Sequence, residues 1–546
     1  MNRRNFVRNI ALASAGSMTL GGVPLRALAG NLKLKRIAAS GNDNVLIFVQ
    51  LHGGNDALNT LIPLNQYNEY YNFRPNIAIP NHGSRKFIEV DSTLPLEDQV
   101  GLHPDMIGFK ALYDQGKATI VQNVGYPAMN MSHFRGRDIV FMGGDAGDYF
   151  SSGWMGRFLN FEYPGYPDAY PDEIMPDPIG IEMGNVISLA FHREAGIPIG
   201  INIQNPEQFY QLITSVGVDP PIVFPDSHAG EEMRYLMEFE KKSNQYAGRL
   251  KQTYDNGSNS IVDYPESYPL TAPDRFLHNP LSGQLKLIAR LLKGGLKTRI
   301  FLCRMGGFDT HGEQVEKLDS TLGAHAALLY HLSSAIKAFQ DDLAALGLED
   351  KVLTMTFTEF GRRVYSNASY GTDHGTATPV FLFGKGLKGG ILGTNPDLDN
   401  LNNGNLIYAI DYRNVYTSVV QDWFGASDEA MQATGFNEWT SSRLDLFDDS
   451  TGLAGRDFSN NNYRLLGCFP NPAREITNLE FFLQKAGAVT IDIYKPDGRL
   501  VRHGHPFKGE FGYQSVPINL SGLDSGLYLV KLQSGKFVGT LQVVKE

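Results

Sequence analysis

The chain has 546 residues, 42% hydrophobic, enough apolar content for two or more packed cores and excluding a disordered chain. Its formal net charge is −10 and its lysines and arginines form no stripe, which excludes a nucleic-acid footprint. Two cysteines, Cys303 and Cys468, exclude a disulfide framework and a thiolate metal cluster.

Residues 1–29 read as a targeting segment. Arg3 and Arg4 precede Phe6, a weakly apolar stretch runs from Ile10 to Val23, and Ala27-Leu28-Ala29 offers a small-x-small cleavage site. The apolar stretch is short and rich in Gly and Ser, so a cleaved twin-arginine leader is expected rather than a membrane anchor. The partner is then the twin-arginine translocase and the route runs via the periplasm.

Val45–Leu51 (VLIFVQL) is a nearly continuous apolar run that stops at His52-Gly53-Gly54-Asn55-Asp56, as a buried parallel strand does at the edge of its sheet. Ala118–Val124, Thr298–Cys303, Val352–Phe357 and Pro379–Phe383 are similar runs, and Gly-rich or polar turns follow them. Helical patterns lie between: Leu281–Leu296, Leu322–Leu346, and Asp411–Phe424, which stops at Gly425. Strands alternating with helices predict an α/β domain over 45–447 with a mostly parallel sheet flanked by helices. The Pro-, Gly- and Tyr-rich stretch 163–225 is expected as an irregular insertion or cap. Residues 448–467 read as a linker, and the short strands from Cys468 onward predict a small C-terminal all-β sandwich over 468–546.

Five constellations follow predicted strands, where an open parallel sheet forms its ligand crevice. They are Gly53-Gly54-Asn55-Asp56, Asn130-Met131-Ser132-His133-Phe134-Arg135, Gly307-Phe308-Asp309-Thr310-His311, Thr358-Glu359-Phe360-Gly361-Arg362-Arg363 and Gly371-Thr372-Asp373-His374-Gly375. Each alone reads as a cap or a turn; convergence on one end of one sheet is what lifts the set. Asp56, Asp309, Glu359, Asp373, His311 and His374 supply carboxylate and imidazole without thiolate, which suits zinc, manganese or magnesium. Ser132 opens a helix, where free backbone N–H groups favour an alkoxide and an anionic ester. Arg135 and Arg362 are candidates to hold ester oxygens. Asp397-Leu398-Asp399-Asn400 reads as a turn rather than a calcium loop.

The C-terminal module resembles the type A sorting domain of the type IX (Por) secretion system, through Phe469-Pro470-Asn471-Pro472-Ala473, Val489–Tyr494, Asp497-Gly498-Arg499, Leu523–Tyr528 and Val543-Val544-Lys545. That resemblance implies the type IX machinery as a partner, passage across the outer membrane, and a secreted or cell-surface destination. From Val45 to Phe447 the motifs LHGGNDALNTLIP, SHFRGRDIVFMGG, GGFDTH, TFTEFGRR, GTDHGTATPVFLFG and DYRNVYTSVVQDWFG resemble the exported family catalogued as domain of unknown function 1501. That family is similar to the alkaline phosphatase and sulfatase superfamily. The resemblance implies metal ligands at Asp56, Asp309, His311 and His374, a nucleophile at Ser132, and Glu359-Phe360 where the superfamily has Asp-His. Phe360 cannot ligate, and Asp373 or His133 is the expected substitute. The spacing of Ser132 and Arg135 does not fit formylglycine formation, so a standard sulfatase is not expected. Two functions remain open: a metal-dependent hydrolase of phosphate or related esters, small-molecule or polymeric, and a non-catalytic binding protein on the same scaffold.

Overall fold

The computed structural model describes residues 19–20, 23–24, 43–166, 170–172, 175–203, 246–448, 463–469, 471–483, 487–496, 499–509, 512–534 and 537–546. Most of the expected leader and residues 449–462 of the expected linker lie outside the described residues; residues 463–467, expected as linker, belong instead to the strand Tyr463–Phe469 of the C-terminal module. The chain divides into two compact units, Met1–Thr451 and Gly452–Glu546. No helix among the described residues is long and apolar enough to cross a membrane.

The first unit is built on a nine-stranded sheet. Its strands are β1 (Val45–Leu51), β2 (Ala118–Gly125), β3 (Gly180–Met183), β4 (Ile201–Ile203), β5 (Ile300–Met305), β6 (Val352–Phe357), β7 (Thr378–Phe383), β8 (Gly390–Leu392) and β9 (Ile410–Asp411). The spatial order is β4-β3-β5-β1-β6-β7-β2-β8, with β9 also on β2. All pairings are parallel except the two made by β7, which runs against β6 and β2. The mostly parallel α/β architecture is therefore as the alternation predicts, with one reversed strand.

Helices cover both faces, which is why the strands are apolar along their whole length. They are α1 (Ile107–Asp114), α2 (His133–Met142), α3 (Trp154–Glu162), α4 (Ser282–Lys293), α5 (Ala324–Leu346) and α6 (Tyr412–Ser418). The period of two along β1 divides the core. Val45, Ile47, Val49 and Leu51 enter one cluster with Phe109 of α1, Leu287 and Ile288 of α4, and Leu332 of α5. Leu46 and Phe48 enter the other with Ile139 of α2, Trp154 of α3 and Tyr416 of α6. Phe48 stacks on Phe357 of β6 at 4.0 Å and meets Trp154 edge-on.

The expected irregular insertion needs correcting. Within 163–225, β3 and β4 join one side of the main sheet, β4 as its edge and β3 between β4 and β5, because Ile181, Met183 and Ile203 are apolar enough to be buried there; residues 204–225 lie outside the described residues. Asp397 accepts from the backbone N–H of Asp399 at 3.0 Å, the turn its sequence suggests.

The second unit is all-β. Tyr463–Phe469, Ile476–Leu483 and Gly512–Asn519 form a three-stranded sheet, and five further strands from Gly487–Tyr494 to Phe537–Lys545 form another. Its core includes Leu479, Phe481, Val489, Val530 and Val543.

Candidate metal centre

The parallel strands bring their carboxyl ends into line. Met305 of β5 pairs with Leu51 of β1, and Phe357 of β6 pairs with Gln50. The loops that leave there meet backbone to backbone. Gly53 has φ +124°, and a Cβ on it would lie 2.2 Å from the Asp309 amide nitrogen, so only glycine allows the first and third constellations to touch. Because β7 is reversed, the fifth constellation reaches this end of the sheet before its strand rather than after it. Residues 361–363 and 373–376 pair across that junction, with Gly375 donating to Gly361 at 3.0 Å and Arg363 donating to Asp373 at 2.9 Å.

His133, Asp309 and His374 converge so that one donor atom of each lies within 4.8 Å of the others. The Oδ1 atom of Asp309 is 3.2 Å from Nε2 of His374 and 3.2 Å from Nε2 of His311, while its Oδ2 is 3.3 Å from Nε2 of His133. The tautomers follow from the other ring nitrogens. His374 Nδ1 faces the Met131 carbonyl at 2.8 Å, and a carbonyl only accepts, so this nitrogen carries the proton. His311 Nδ1 lies 3.0 Å from the Asp373 carboxylate, and His133 Nδ1 lies 2.9 Å from Glu359. Each ring in its neutral form therefore turns an Nε2 lone pair toward Asp309. His133 Nε2 is buried without a hydrogen-bond partner, and the Nε2 atoms of His311 and His374 are 2.9 Å apart.

This donor set fits a small divalent cation. Ligand atoms about 2.0–2.1 Å from a tetrahedral ion sit roughly 3.3 Å from one another, and an imidazole backed by a carboxylate or carbonyl is the usual orientation of a metal-binding histidine. Burial pushes the Asp309 carboxyl up, but the hydrogen bond and charge of Arg362 outweigh it, with help from His374 and His133, and hold it at about 2. Glu359 is buried, which raises its pKa, yet hydrogen bonds from His52 and His133 bring it below its ordinary value. Asp373 is lowered chiefly by its bond to His311.

The nine expected site residues divide. Asp309, His311 and His374 meet directly. Glu359 and Asp373 stand one step back, and the structure assigns them to orienting His133 and His311. His133, which the sequence offers only as a substitute, occupies a central place; its signal was its position at the head of α2 beside Ser132. His52, 3.4 Å from Glu359, gave no signal beyond following a strand. Asp56 is elsewhere: fully buried, its carboxylate takes Arg74 at 2.7 and 2.8 Å and Gln314 at 2.6 Å. Expected as a ligand, it stands outside the group formed by His133, Asp309 and His374 and holds Arg74 and Gln314 instead. Arg362 is also fully buried, donating to Gly54, Thr372 and Phe308 carbonyls at 2.7, 3.0 and 3.0 Å, to Asp309 at 2.7 Å, and to the Gly53 carbonyl. It clamps three site loops and has no face for an ester. Arg135 turns away to the Ala146 and Asp148 carbonyls and packs over Tyr149. Phe360 is buried beneath the imidazoles, its ring 4.9 Å from His133 and 4.6 Å from His374.

Ser132 is the N-cap of α2 and is exposed, with no side-chain capping bond. It lies between Met131, whose carbonyl holds His374, and His133.

Residues 236–431 match the family described as "Protein of unknown function (DUF1501)", and residues 467–546 match the "Secretion system C-terminal sorting domain". The chain joins a DUF1501 region to a secretion-sorting domain. It is thus a protein marked for export to the cell surface or beyond through the type IX machinery. No curated protein matches the chain. Among solved structures it is similar to a sulfatase from Pseudoalteromonas sp., at 11% identity and TM-score 0.30 over 89% of this chain and 86% of that one. It is also similar to the alkaline phosphatase of the Antarctic bacterium TAB5, at 10% identity and TM-score 0.24 over 72% of this chain and 99% of that one.

Proposed function

We propose that the DUF1501 unit is a divalent-metal-dependent hydrolase of phosphate or related esters, delivered by a twin-arginine leader to the periplasm and by its C-terminal domain to the exterior. The observation that carries the reading is the convergence of three imidazole Nε2 lone pairs on one carboxylate. Nothing but a proton or a cation satisfies such an arrangement, and the backing of each ring by a fixed acceptor favours the cation.

His133, Asp309, His311 and His374 would hold the metal, which when bound lowers the pKa of a nearby hydroxyl and stabilises developing negative charge. Ser132 would attack; in support, the residue is exposed, it makes no side-chain capping bond, and it stands at the N-terminus of α2. Glu359 and Asp373 fix the rings of His133 and His311, and Arg362 fixes Asp309.

A specific observation favours a second reading, a binding protein without turnover. Both candidate guanidiniums, Arg135 and Arg362, are bound to backbone carbonyls, so neither presents a cation to an ester oxygen. One experiment separates the two. The full chain without residues 1–29 is loaded with zinc, manganese or magnesium and screened against aryl phosphates, phosphodiesters and sulfates beside Ser132→Ala. Turnover lost in the variant supports the hydrolase. Bound metal with no turnover of any ester leaves the binding protein.

A further inference from the structure

Beside the metal cluster runs a groove of about 360 Å³ lined by Tyr126, Met129, Met131, Asn403, Asn405 and Tyr408, with neighbours from the same segments. It shares a wall with the cluster. Met131 gives its carbonyl to His374, and Thr376, two residues beyond His374, lines the groove.

Its chemistry is distinctive. No lysine, arginine, aspartate or glutamate lines it. Its polar groups include the carboxamides of Asn402, Asn403 and Asn405, each able to donate and accept. The apolar face is supplied by Met129, Met131, Ile407 and the half-buried ring of Tyr408, and Met131 and Ile407 are exposed at 37% and 46%. Asn405 is only 7% exposed, yet its Oδ1 has no hydrogen-bond partner. A buried amide oxygen without a partner carries the cost of its lost hydration, which a donor entering beside it relieves. Gly125, at the end of β2, makes room for the far wall, since a Cβ there would meet Tyr408 Cβ at 2.7 Å and Met129 Sδ at 3.0 Å.

We infer that this groove is a subsite for a neutral saccharide. Several hydroxyls to donate and accept, no charge, and one apolar ring face are what carboxamides facing two methionine thioethers and the open ring of Tyr408 match, the ring of Tyr126 being buried. A flat base is matched less well, because the groove offers one partly open ring rather than a pair to hold a base between. Resting on the hydrolase reading, the inference makes the substrate a sugar ester, its charged group at the cluster and its neutral sugar in the groove.

Binding of neutral oligosaccharides of glucose, galactose and mannose to the full chain is measured by titration calorimetry, with a nucleoside and a short uncharged peptide alongside. The expected result is saccharide binding that falls at least tenfold in Asn405→Leu, which keeps the volume and removes the acceptor. Asn403→Gly is the second variant: the site is exposed, the backbone φ is +52° and suits glycine, and a loss there confirms the groove in a folded protein. Saccharide binding by the unaltered, metal-loaded chain with no turnover of any ester upholds the groove and sinks the hydrolase. Turnover of simple aryl esters with no saccharide binding does the reverse. Preference for the nucleoside or peptide, or saccharide binding indifferent to both asparagine variants, overturns the inference.

Discussion

His311 and His374 face each other through Nε2 atoms 2.9 Å apart, while the Nδ1 atoms of both donate to fixed acceptors. Two neutral imidazoles in that pose repel unless something positive lies between them. The full chain without its leader should therefore purify with close to one equivalent of divalent metal by elemental analysis. His374→Ala or Asp309→Ala should remove it. Glu359→Gln should weaken it by about 10–100-fold, since Glu359 orients His133 without being a donor to the centre. Full metal retention in all three variants would dismiss the centre.

Acid should act first on a histidine remote from the metal donors. His325 is fully buried, and burial, reinforced by Arg74 and Arg362 and opposed by Asp56, lowers its pKa to about 4. A base held neutral in the fold but free to charge when unfolded favours the unfolded state as protons are added. The stability it contributes is complete above about pH 6.5 and declines as pH falls toward 4, by roughly 3 kcal/mol at 1.36 kcal/mol per unit. His103, also buried and lowered by burial first, acts in the same direction. Urea denaturation at pH 7, 6, 5 and 4 should show this slope in wild type and a flatter one in His325→Gln.

The Asp56–Arg74 pair should prove structural. Both side chains are wholly buried, and Arg74 also donates to Val364, Arg363 and Asn59. Asp56→Ala leaves a buried guanidinium without its counter-charge and should cost about 3–5 kcal/mol by chemical denaturation. Metal content measured below the melting temperature should stay unchanged. A variant that keeps its stability but loses its metal would return Asp56 to the ligand set.

Removal of residues 468–546 should leave a folded first unit, because among the described residues that unit has large apolar clusters of its own. The truncated protein should resist protease as the full chain does and stay in the periplasm. Aggregation of the truncated form, or its arrival at the cell surface, would contradict this.

The architecture was legible because β1, β2, β5 and β6 are buried on both faces and so carry unbroken apolar runs. The short strands β3 and β4 were not: three or four residues among prolines and tyrosines have no period to read. The site was legible as a set of loops but not as a set of roles. Asp56, Asp309 and Glu359 are all acids just beyond a strand, and sequence gives no sign that one meets an arginine, one a ring of histidines, and one the Nδ1 atoms of His52 and His133. Those roles come from side-chain direction, set by contacts with residues 18 to 306 positions away. His133 was undervalued because a histidine at a helix start is common, and nothing local reveals that Glu359, 226 positions on, fixes its tautomer.

The loops around the metal donors are stacked main chain on main chain, with Gly53 against Asp309 and Gly375 so near Arg362 that a Cβ would lie 2.3 Å from its carbonyl carbon. Shape and chemistry are thereby carried by different residues. A descendant of this chain that lost His311 or Ser132 would keep the same loop paths, because neither side chain forms them. One that lost Gly53 or Gly375 would lose the paths with every donor still encoded. Backbone superposition among such chains would report only on the glycines and on Arg362, and a silent site would overlay on a working one without visible difference.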